Sequence, residues 1–409
     1  MKKNLKSRTI FIIANSSWYI NHYRKYLLRE LKMKDLYNVV TISPLDDQTK
    51  ELSKLSLNIP WRISRSGNKN LLKIIKSLLR LILIFRSLKP KIVHSHTLKT
   101  NFLTSIAAFI FGTPCIISFA GLGQISNSKG LKRFVFIILI KIIGFLSFRE
   151  LSNNKILKNE KRTSFIFQNK NDMNFISKFI KIPYTNKHLI FGSGLPEKFL
   201  KSKKINNWNK LNYNLLNKKN VRIHLIYLSR LLKSKGILTF IEIANYFNKA
   251  DASVYGSIDP SSSDSLSKGD IKNIIKNNQK LKFHGFKIEP LIEQNYNYPI
   301  LLVPSNYGEG LPRGILEALA LKIPVISSKK ATCDLFDESL IYIAKKNKIS
   351  SYKDCINRVL DDFEKGTIEK KLKKGEKYVR ENFLESHIVE KTISVYENIE
   401  KLNFNIIEN

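Results

Sequence analysis

Val303–Ser328 reads VPSNYGEGLPRGILEALALKIPVISS, and its punctuation decides the fold. Leu301–Val303 ends an apolar strand, and Pro304-Ser305-Asn306 is turn chemistry. Gly308 and Gly310 flank Glu309 in a loop that asks for unusual backbone freedom. Pro312 stands where a first-turn proline is tolerated, Gly314–Leu321 continues as a helix, and Pro324-Val325-Ile326 opens a short buried strand. A flexible loop feeding a helix N-terminus offers unpaired N–H groups and the positive end of a dipole, which suits a diphosphate. Glu309 in the loop and Glu317 in the helix can face one crevice and accept hydrogen bonds from sugar hydroxyls.

A Glu-x7-Glu spacing alone is as compatible with a solvated acidic pair beside a helix start. Here it is embedded in EGLPRGILEALALKIPVI, and the glycines, the Leu-Pro-Arg and the helix–proline–strand exit resemble a nucleotide-sugar signature. It is that of retaining, family 4-type glycosyltransferases with two Rossmann-like domains, including bacterial polysaccharide and lipid-linked oligosaccharide transferases. The resemblance implies that Glu317 holds the ribose hydroxyls, that Glu309 lies against the donor sugar, and that the backbone of Gly310, Leu311 and Pro312 meets the diphosphate.

Working towards the N-terminus, Leu281–Phe286 reads as a strand whose Gly285 resembles the family's nucleotide-base loop, with backbone contact expected near Phe286. Ser253–Ile258 is a further strand. Val221–Leu228 opens this domain and delivers Ser229–Gly236 (SRLLKSKG) onto a helix running to about Phe247. Arg230 and Lys235 then lie at the carboxyl edge of the sheet, where two cations can neutralise a diphosphate leaving group. Lys201–Asn220 is a polar linker, preceded by Phe191–Pro196, which looks like a hinge. Beyond Ser328, Asp334 carries little weight. Gly375–Lys401 resembles the family's terminal helices, which cross back to the N-terminal domain.

The first half repeats the strand–loop–helix grammar. Thr9–Ala14 is an apolar strand, Asn15-Ser16-Ser17-Trp18 a small polar loop, roughly Tyr19–Lys32 a helix, and Asn38–Ser43 a strand. Ligands of such sheets bind beyond the carboxyl ends of the strands, which makes Ser16, Ser17 and Trp18 acceptor-side candidates. The loop and the following Asn21–Arg24 resemble one branch of the family, which adds Arg24. Lys91–His96 and Pro114–Phe119 are further strands, the second ending at Ala120-Gly121. Many family members carry a histidine where Ala120 stands, so Gly121 and His96 (or His94) remain as acceptor-side candidates. Thr163–Phe167 is a strand followed by the turn Gln168–Asp172.

Two segments are basic and apolar. In Leu71–Lys91, residues Lys73, Lys76, Ser77, Arg80 and Ser87 fall on one helical stripe among leucines and isoleucines. Phe134–Phe148 is more apolar but interrupted by Lys141, and too short for a hydrocarbon core that needs about 20 residues. Each reads either as a core helix with a solvated face or as a helix lying on an anionic membrane.

The 409 residues carry 70 Lys and Arg against 33 Asp and Glu, a formal charge of +37, which draws the chain towards membrane leaflets, nucleic acid or phosphorylated substrates. No nucleic-acid module is recognisable, and the charge is spread along the chain, so no nucleic-acid partner is expected. The three cysteines, Cys115, Cys333 and Cys355, have neither metal spacing nor an even count, as reduced cytoplasmic thiols would. Neither a signal peptide nor a transmembrane helix is expected.

The expectation is therefore an α/β chain of GT-B architecture, two Rossmann-like domains with parallel sheets facing across a central cleft. The acceptor domain spans 1–195, the donor domain 196–376, and helices at 377–409 cross back. The resemblance implies a retaining transferase that moves a hexose or N-acetylhexosamine from a nucleotide sugar, UDP before GDP. Its partner would be a lipid-linked glycan acceptor such as an undecaprenyl diphosphate, at the inner face of the cytoplasmic membrane. There would be no cofactor and no metal, in keeping with the missing Asp-x-Asp motif. A sugar phosphorylase or nucleotide-sugar epimerase would share the fold.

Overall fold

The computed structural model describes residues 8–63, 71–123, 129–148, 162–202, 208, 222–247, 249–260, 262–278, 280–307 and 309–404. Gly308 and most of the linker segment lie outside them. The chain forms two compact units, Met1–Gly194 with Glu385–Asn409, and Leu195–Leu384.

The first unit runs β1 (Thr9–Ile13), α1 (Ser17–Tyr23), α2 (Lys25–Met33), β2 (Asn38–Ser43), α3 (Thr49–Ser53), β3 (Leu57–Pro60), α4 (Leu71–Leu88), β4 (Ile92–His96), α5 (Leu98–Phe111), β5 (Cys115–Phe119), α6 (Gly130–Phe148), β6 (Thr163–Phe167), α7 (Lys170–Ser177) and β7 (Lys187–Leu189). Its seven strands are parallel, in the order β3-β2-β1-β4-β5-β6-β7. Alternation along β1 shows how both faces are covered. Ile10 and Ile12 pack with Leu27, Leu28 and Leu31 of α2, while Phe11 and Ile13 pack with Leu81, Leu103 and Ile140 of α4, α5 and α6. Such strands, buried on both faces, read as the continuous apolar runs seen in the sequence.

The second unit runs α8 (Lys198–Lys201), β8 (His224–Leu228), α9 (Ile237–Tyr246), β9 (Asp251–Tyr255), α10 (Lys268–Asn277), β10 (Leu281–Gly285), α11 (Pro290–Glu293), β11 (Pro299–Val303), α12 (Arg313–Ala320), β12 (Val325–Ser328), β13 (Tyr342–Ala344), α13 (Ile349–Glu364) and α14 (Ile368–Asn382). Its sheet is parallel, ordered β10-β9-β8-β11-β12-β13. A last helix, α15 (Glu385–Phe404), belongs to the first unit, where Ile388 and Tyr396 join the core under β1. In both sheets the strand order reverses, between β1 and β4 and between β8 and β11, and ligands of open parallel sheets bind at such points.

Several boundaries differ from those expected. The helix expected over Tyr19–Lys32 is two, because the chain bends at Arg24 (φ −126°, ψ 2°), whose side chain is buried. The strand expected over Ser253–Ile258 is β9 and stops at Tyr255. Gly256 leaves the sheet so closely over Ser229 that a Cβ there would lie 1.8 Å from its carbonyl oxygen. Ser77 is not on a solvated stripe; it is buried, with its hydroxyl donating to the carbonyls of Arg62 and Lys73. The chain returns to the first unit at Glu385, later than residue 377. Helix α14 stays with the second because Gly375 packs on Leu319 of α12 and the Tyr378 hydroxyl donates to the Leu335 carbonyl.

Candidate functional site

The loops leaving β8 and β11 are pressed together. Gly236 (φ 80°) lets its backbone approach Pro304 so closely that a Cβ would sit 2.0 Å from the Pro304 carbonyl oxygen. The Asn306 N–H donates to the Ser234 carbonyl at 2.8 Å, and the Ser234 N–H donates to Asp264 at 3.0 Å. This contact brings together two residues that are far apart in sequence. Lys235 Nζ donates to Glu309 Oε1, with side chains only 10% and 13% exposed. Ser305 Oγ donates to the same carboxylate oxygen at 3.1 Å, and Lys235 Nζ lies 4.4 Å from the centre of the Tyr307 ring. Arg230 stands beside them, with an ion pair to Asp259 at 2.6 Å and a hydrogen bond to the Tyr307 hydroxyl at 3.4 Å. Of the expected catalytic set, Lys235 and Glu309 are in contact, and Arg230 joins them through Tyr307.

Helix α12 begins after Gly310, Leu311 and Pro312. Pro312 is its N-cap (φ −77°, ψ 86°), a residue with no side-chain acceptor to cap the first amides. Those amides keep the electrostatics of an open helix start. Glu317, one turn in, is 5% exposed and accepts a hydrogen bond from Arg313 Nε at 2.9 Å. Burial pushes its carboxyl up to about 7, against the lowering effect of Arg313. At neutral pH this acid is therefore poised between its two states. Gly285 takes φ 69°, with open space where a Cβ would be, and Phe286 beyond it is 51% exposed. The His284 ring stacks on Tyr255 at 4.5 Å and its Nε2 is 3.1 Å from Ser253 Oγ, so it is held as part of the strand end.

Two residues here were not singled out from sequence. Tyr307 lies against both cations, Arg230 and Lys235, and its only signal was an aromatic beside the glycine loop. Cys333 takes φ 52° and its thiol donates to the Glu309 carbonyl at 3.5 Å. Asp334 follows it in the same left-handed region (φ 55°).

In the first unit, Ser16 caps α1 by accepting from the Tyr19 N–H at 3.1 Å. Ser17 Oγ is engaged inside the fold, donating to the Pro44 carbonyl and meeting Ser43 Oγ, both at 2.8 Å. Trp18 stays half-buried, stacked on His22 at 4.2 Å. Arg24 is 6% exposed. It donates to the Gly192 carbonyl at 3.2 Å and to the Tyr19 hydroxyl at 3.3 Å, while its Nε has no acceptor. No carboxylate among the described residues is within ion-pair distance of it. His96 is fully buried against the rings of Tyr19 and His94, and neither of its ring nitrogens has a hydrogen-bond partner. Burial, then His94 and Arg24, hold it well below its usual pKa and so uncharged. His94 serves the fold, its nitrogens 2.6 Å from the Tyr396 hydroxyl of α15 and 2.6 Å from Ser118 Oγ.

Gly121 (φ 91°) begins a loop held from below by Asp172, a residue missing from the sequence-based candidates. Asn169 caps α7 by accepting from the Asp172 N–H at 2.7 Å, and Asp172 Oδ2 accepts from the Leu122 N–H at 3.2 Å. The Asn-x-x-Asp spacing was the available signal.

Comparison with known proteins bears on the fold and the family. Residues 222–362 match the model described as glycosyl transferases group 1, and residues 9–147 match the one described as glycosyl transferase 4-like. A capsular polysaccharide biosynthesis glycosyltransferase of Staphylococcus aureus, CapM, is 28% identical over 320 residues, covering 76% of this chain and 78% of that protein. The fold is also that of sucrose-phosphate synthase from Thermosynechococcus elongatus (TM-score 0.73, 14% identity, 96% of this chain and 99% of that one). The same holds for Anabaena HepE solved with UDP-glucose (TM-score 0.68, 14% identity, 96% and 100%).

Proposed function

The chain belongs to the glycosyltransferases built of two Rossmann-like domains, and on that premise we propose what it transfers, and to what. The donor is a nucleotide sugar with UDP as its nucleotide. The transferred group is a hexose or N-acetylhexosamine, delivered with retention of configuration. The acceptor is a lipid-linked or surface-polysaccharide glycan, met at the inner face of the cytoplasmic membrane during cell-envelope glycan assembly. Among the relatives, the CapM name points to capsule and the HepE structure to UDP-glucose.

The observation that carries this reading is the Lys235–Glu309 pair, set between two strand ends and the open start of α12. A diphosphate placed at that helix start meets Lys235, Arg230 and the backbone of Gly310, Leu311 and Pro312. Lys235 exchanges its carboxylate for the phosphate, which frees Glu309 to accept from the donor-sugar hydroxyls. The buried Glu317 accepts from the ribose hydroxyls, while Gly285 and Phe286 border the base.

In the reaction, the bond between the anomeric carbon and the phosphate oxygen breaks, with its electron pair going to the diphosphate. The two cations and the helix amides stabilise that developing charge. The acceptor hydroxyl attacks from the same face, and its proton passes to the departing phosphate oxygen. No protein nucleophile and no metal enter the scheme. On the acceptor side, Arg24 faces the phosphate of the lipid carrier, with uncharged His96 behind it, Trp18 beside it and Gly121 at the neighbouring strand end.

The deciding experiment is a thermal-shift series with UDP, GDP and ADP on the wild type and on Glu317→Gln. A shift with UDP that shrinks in the variant supports the donor site. A folded protein that responds to none of them removes it. Anomeric NMR of the product, with EDTA present, then tests retention and metal independence.

A further inference from the structure

From Leu71 to Phe148 the chain contains no Asp or Glu, while it carries eleven Lys or Arg. At the chain's average, about six carboxylates would fall there. The stretch supplies α4, α5 and α6, which cover one face of the first sheet through Leu81, Phe85, Leu103, Phe136 and Ile140. Their outer sides are apolar as well. Helix α6 buries Phe136, Ile140, Ile143 and Ser147, and on the other side exposes Leu131 (76%), Phe134 (61%) and Phe145 (52%). Helix α4 exposes Leu72 (68%), Leu79 (55%) and Leu83 (61%). Between them, Ile110 and Phe111 are exposed at the end of α5. Exposed cations are interleaved on the same helices, Lys73, Lys76 and Arg80 on α4 and Lys132, Arg133 and Lys141 on α6.

Exposed apolar residues gathered on three neighbouring helices and interleaved with cations mark an interaction surface, unlike apolar residues scattered singly. Charge selects the occupant. A second copy docked through a two-fold axis would place this patch on itself, cation against cation, with no carboxylate in the stretch to answer it. An anionic bilayer satisfies both features, taking the leucines and phenylalanines into its interfacial layer and pairing the lysines and arginines with lipid phosphates. No helix among the described residues is long and apolar enough to cross a membrane, so the contact is made in the plane of the surface.

We infer that the outer face of α4, α5 and α6 docks this protein onto an anionic phospholipid surface. This rests on the membrane-proximal acceptor proposed above and names the surface that meets the lipid. Crossover helices run against their strands, so the starts of α4 and α6, with Leu72, Leu131 and Phe134, lie at the carboxyl edge of the sheet. The face runs from that edge to Ile110, Phe111 and Phe145 near the helix ends, so a flat contact brings the carboxyl edge, with the rest of the face, to the lipid.

The test is co-sedimentation of the full chain with phosphatidylcholine vesicles, with and without phosphatidylglycerol. Variants Lys132→Glu/Arg133→Glu and Leu131→Ser/Phe134→Ser are compared with a control on the second unit, Lys370→Glu/Lys374→Glu. Binding only to anionic vesicles is expected. It should weaken at least tenfold in the first two variants, at about fivefold per cation for the charge pair, and far less in the control. Equal weakening in the control would mean that net charge, not this face, binds lipid, and would overturn the inference. So would vesicle binding untouched by either face variant, or a doubled mass in light scattering that Leu131→Ser/Phe134→Ser abolishes. The UDP thermal shift, read on the same variants, stays unchanged if only docking is lost. Its absence from the wild type would instead count against the donor site.

Discussion

Lys235 in the second unit and Arg24 in the first are both buried cations at the carboxyl end of a parallel sheet, and they are neutralised differently. Lys235 has Glu309, with Ser305 fixing the carboxylate; nearby, Arg230 has Asp259 and Arg313 has Glu317. Arg24 has a carbonyl, a phenol and no acid among the described residues. In the same unit Asp172 is buried with no cation within ion-pair distance among the described residues, held by the amides of Asn169 and Leu122. Pairing lets a charge be buried without its ligand and released when the ligand arrives. An unpaired buried cation is costly until something outside the chain answers it. On the function proposed above, the donor edge is complete in itself, and the acceptor edge is completed by its ligand.

The strongest way to break this contrast is to remove the donor-side cation. Lys235→Ala should lower kcat about a thousandfold, the scale of a lost transition-state charge contact, and weaken UDP binding much less. Turnover within tenfold of wild type, measured with saturating donor, would show that Lys235 serves only the fold. Glu309→Gln should be strongly non-additive with it in a double-mutant cycle, because each side chain holds the other.

On the acceptor side, Arg24→Met removes an unneutralised buried charge, so the protein should remain folded. The KM for a lipid-diphosphate acceptor should rise ten- to a hundredfold, the donor KM should not, and Arg24→Lys should recover part of the loss. A large drop in Tm with an unchanged acceptor KM would make Arg24 a clamp for Gly192 and dissolve the contrast.

The third test uses pH. Glu317 is raised to about 7 by burial, and only its ionised form can accept from two ribose hydroxyls. Below that pH, nucleotide binding must first expel a proton, so affinity for a UDP-sugar should fall by up to about tenfold per unit. Above it, affinity should be flat. Calorimetry at pH 6 and 8 checks this, with Glu317→Gln losing the dependence. A wild type as flat as the variant would place Glu317 outside the ribose site.

How much of this could be read from sequence follows the same divide. The donor side was legible because its determinants are local. The glycines, the prolines and the Glu-x7-Glu spacing lie within Val303–Ser328, and Lys235-Gly236 needs only a strand before it. What was not legible there was contact, since the Lys235–Glu309 pair depends on Gly236 meeting Pro304 across the sheet. In the first unit the partners come from far along the chain: Gly192 for Arg24, Tyr396 for His94, Leu122 for Asp172. No spacing rule reaches that far. Ser17 therefore looked available although Ser43 and Pro44 occupy it, and the bend at Arg24 passed for unbroken helix. The late return at Glu385 had the same origin, because α14 is amphipathic whichever unit it covers.

The smallest effect tests the other unpaired charge. Burial raises Asp172 to about 6 from a usual value of 3.8, against the lowering influence of Asn169 and Leu122. The folded state therefore binds this proton more tightly than the unfolded chain does. The resulting stability is fully present below pH 3.8 and is lost as pH rises through 6. Above that, the isolated carboxylate costs the fold about 1–3 kcal/mol. Asp172→Asn keeps an oxygen for the Leu122 N–H and removes the charge, but gives up a favourable anion in the first turn of α7. The net expectation is a gain of about 1 kcal/mol at pH 8 and none at pH 5. Urea unfolding in a Trp208→Phe background checks it, since Trp18 and Trp61 of the first unit are then the only tryptophan reporters. A loss of stability at pH 8 would mean that Asp172 has a cation after all, and that the first unit pairs its charges as the second does.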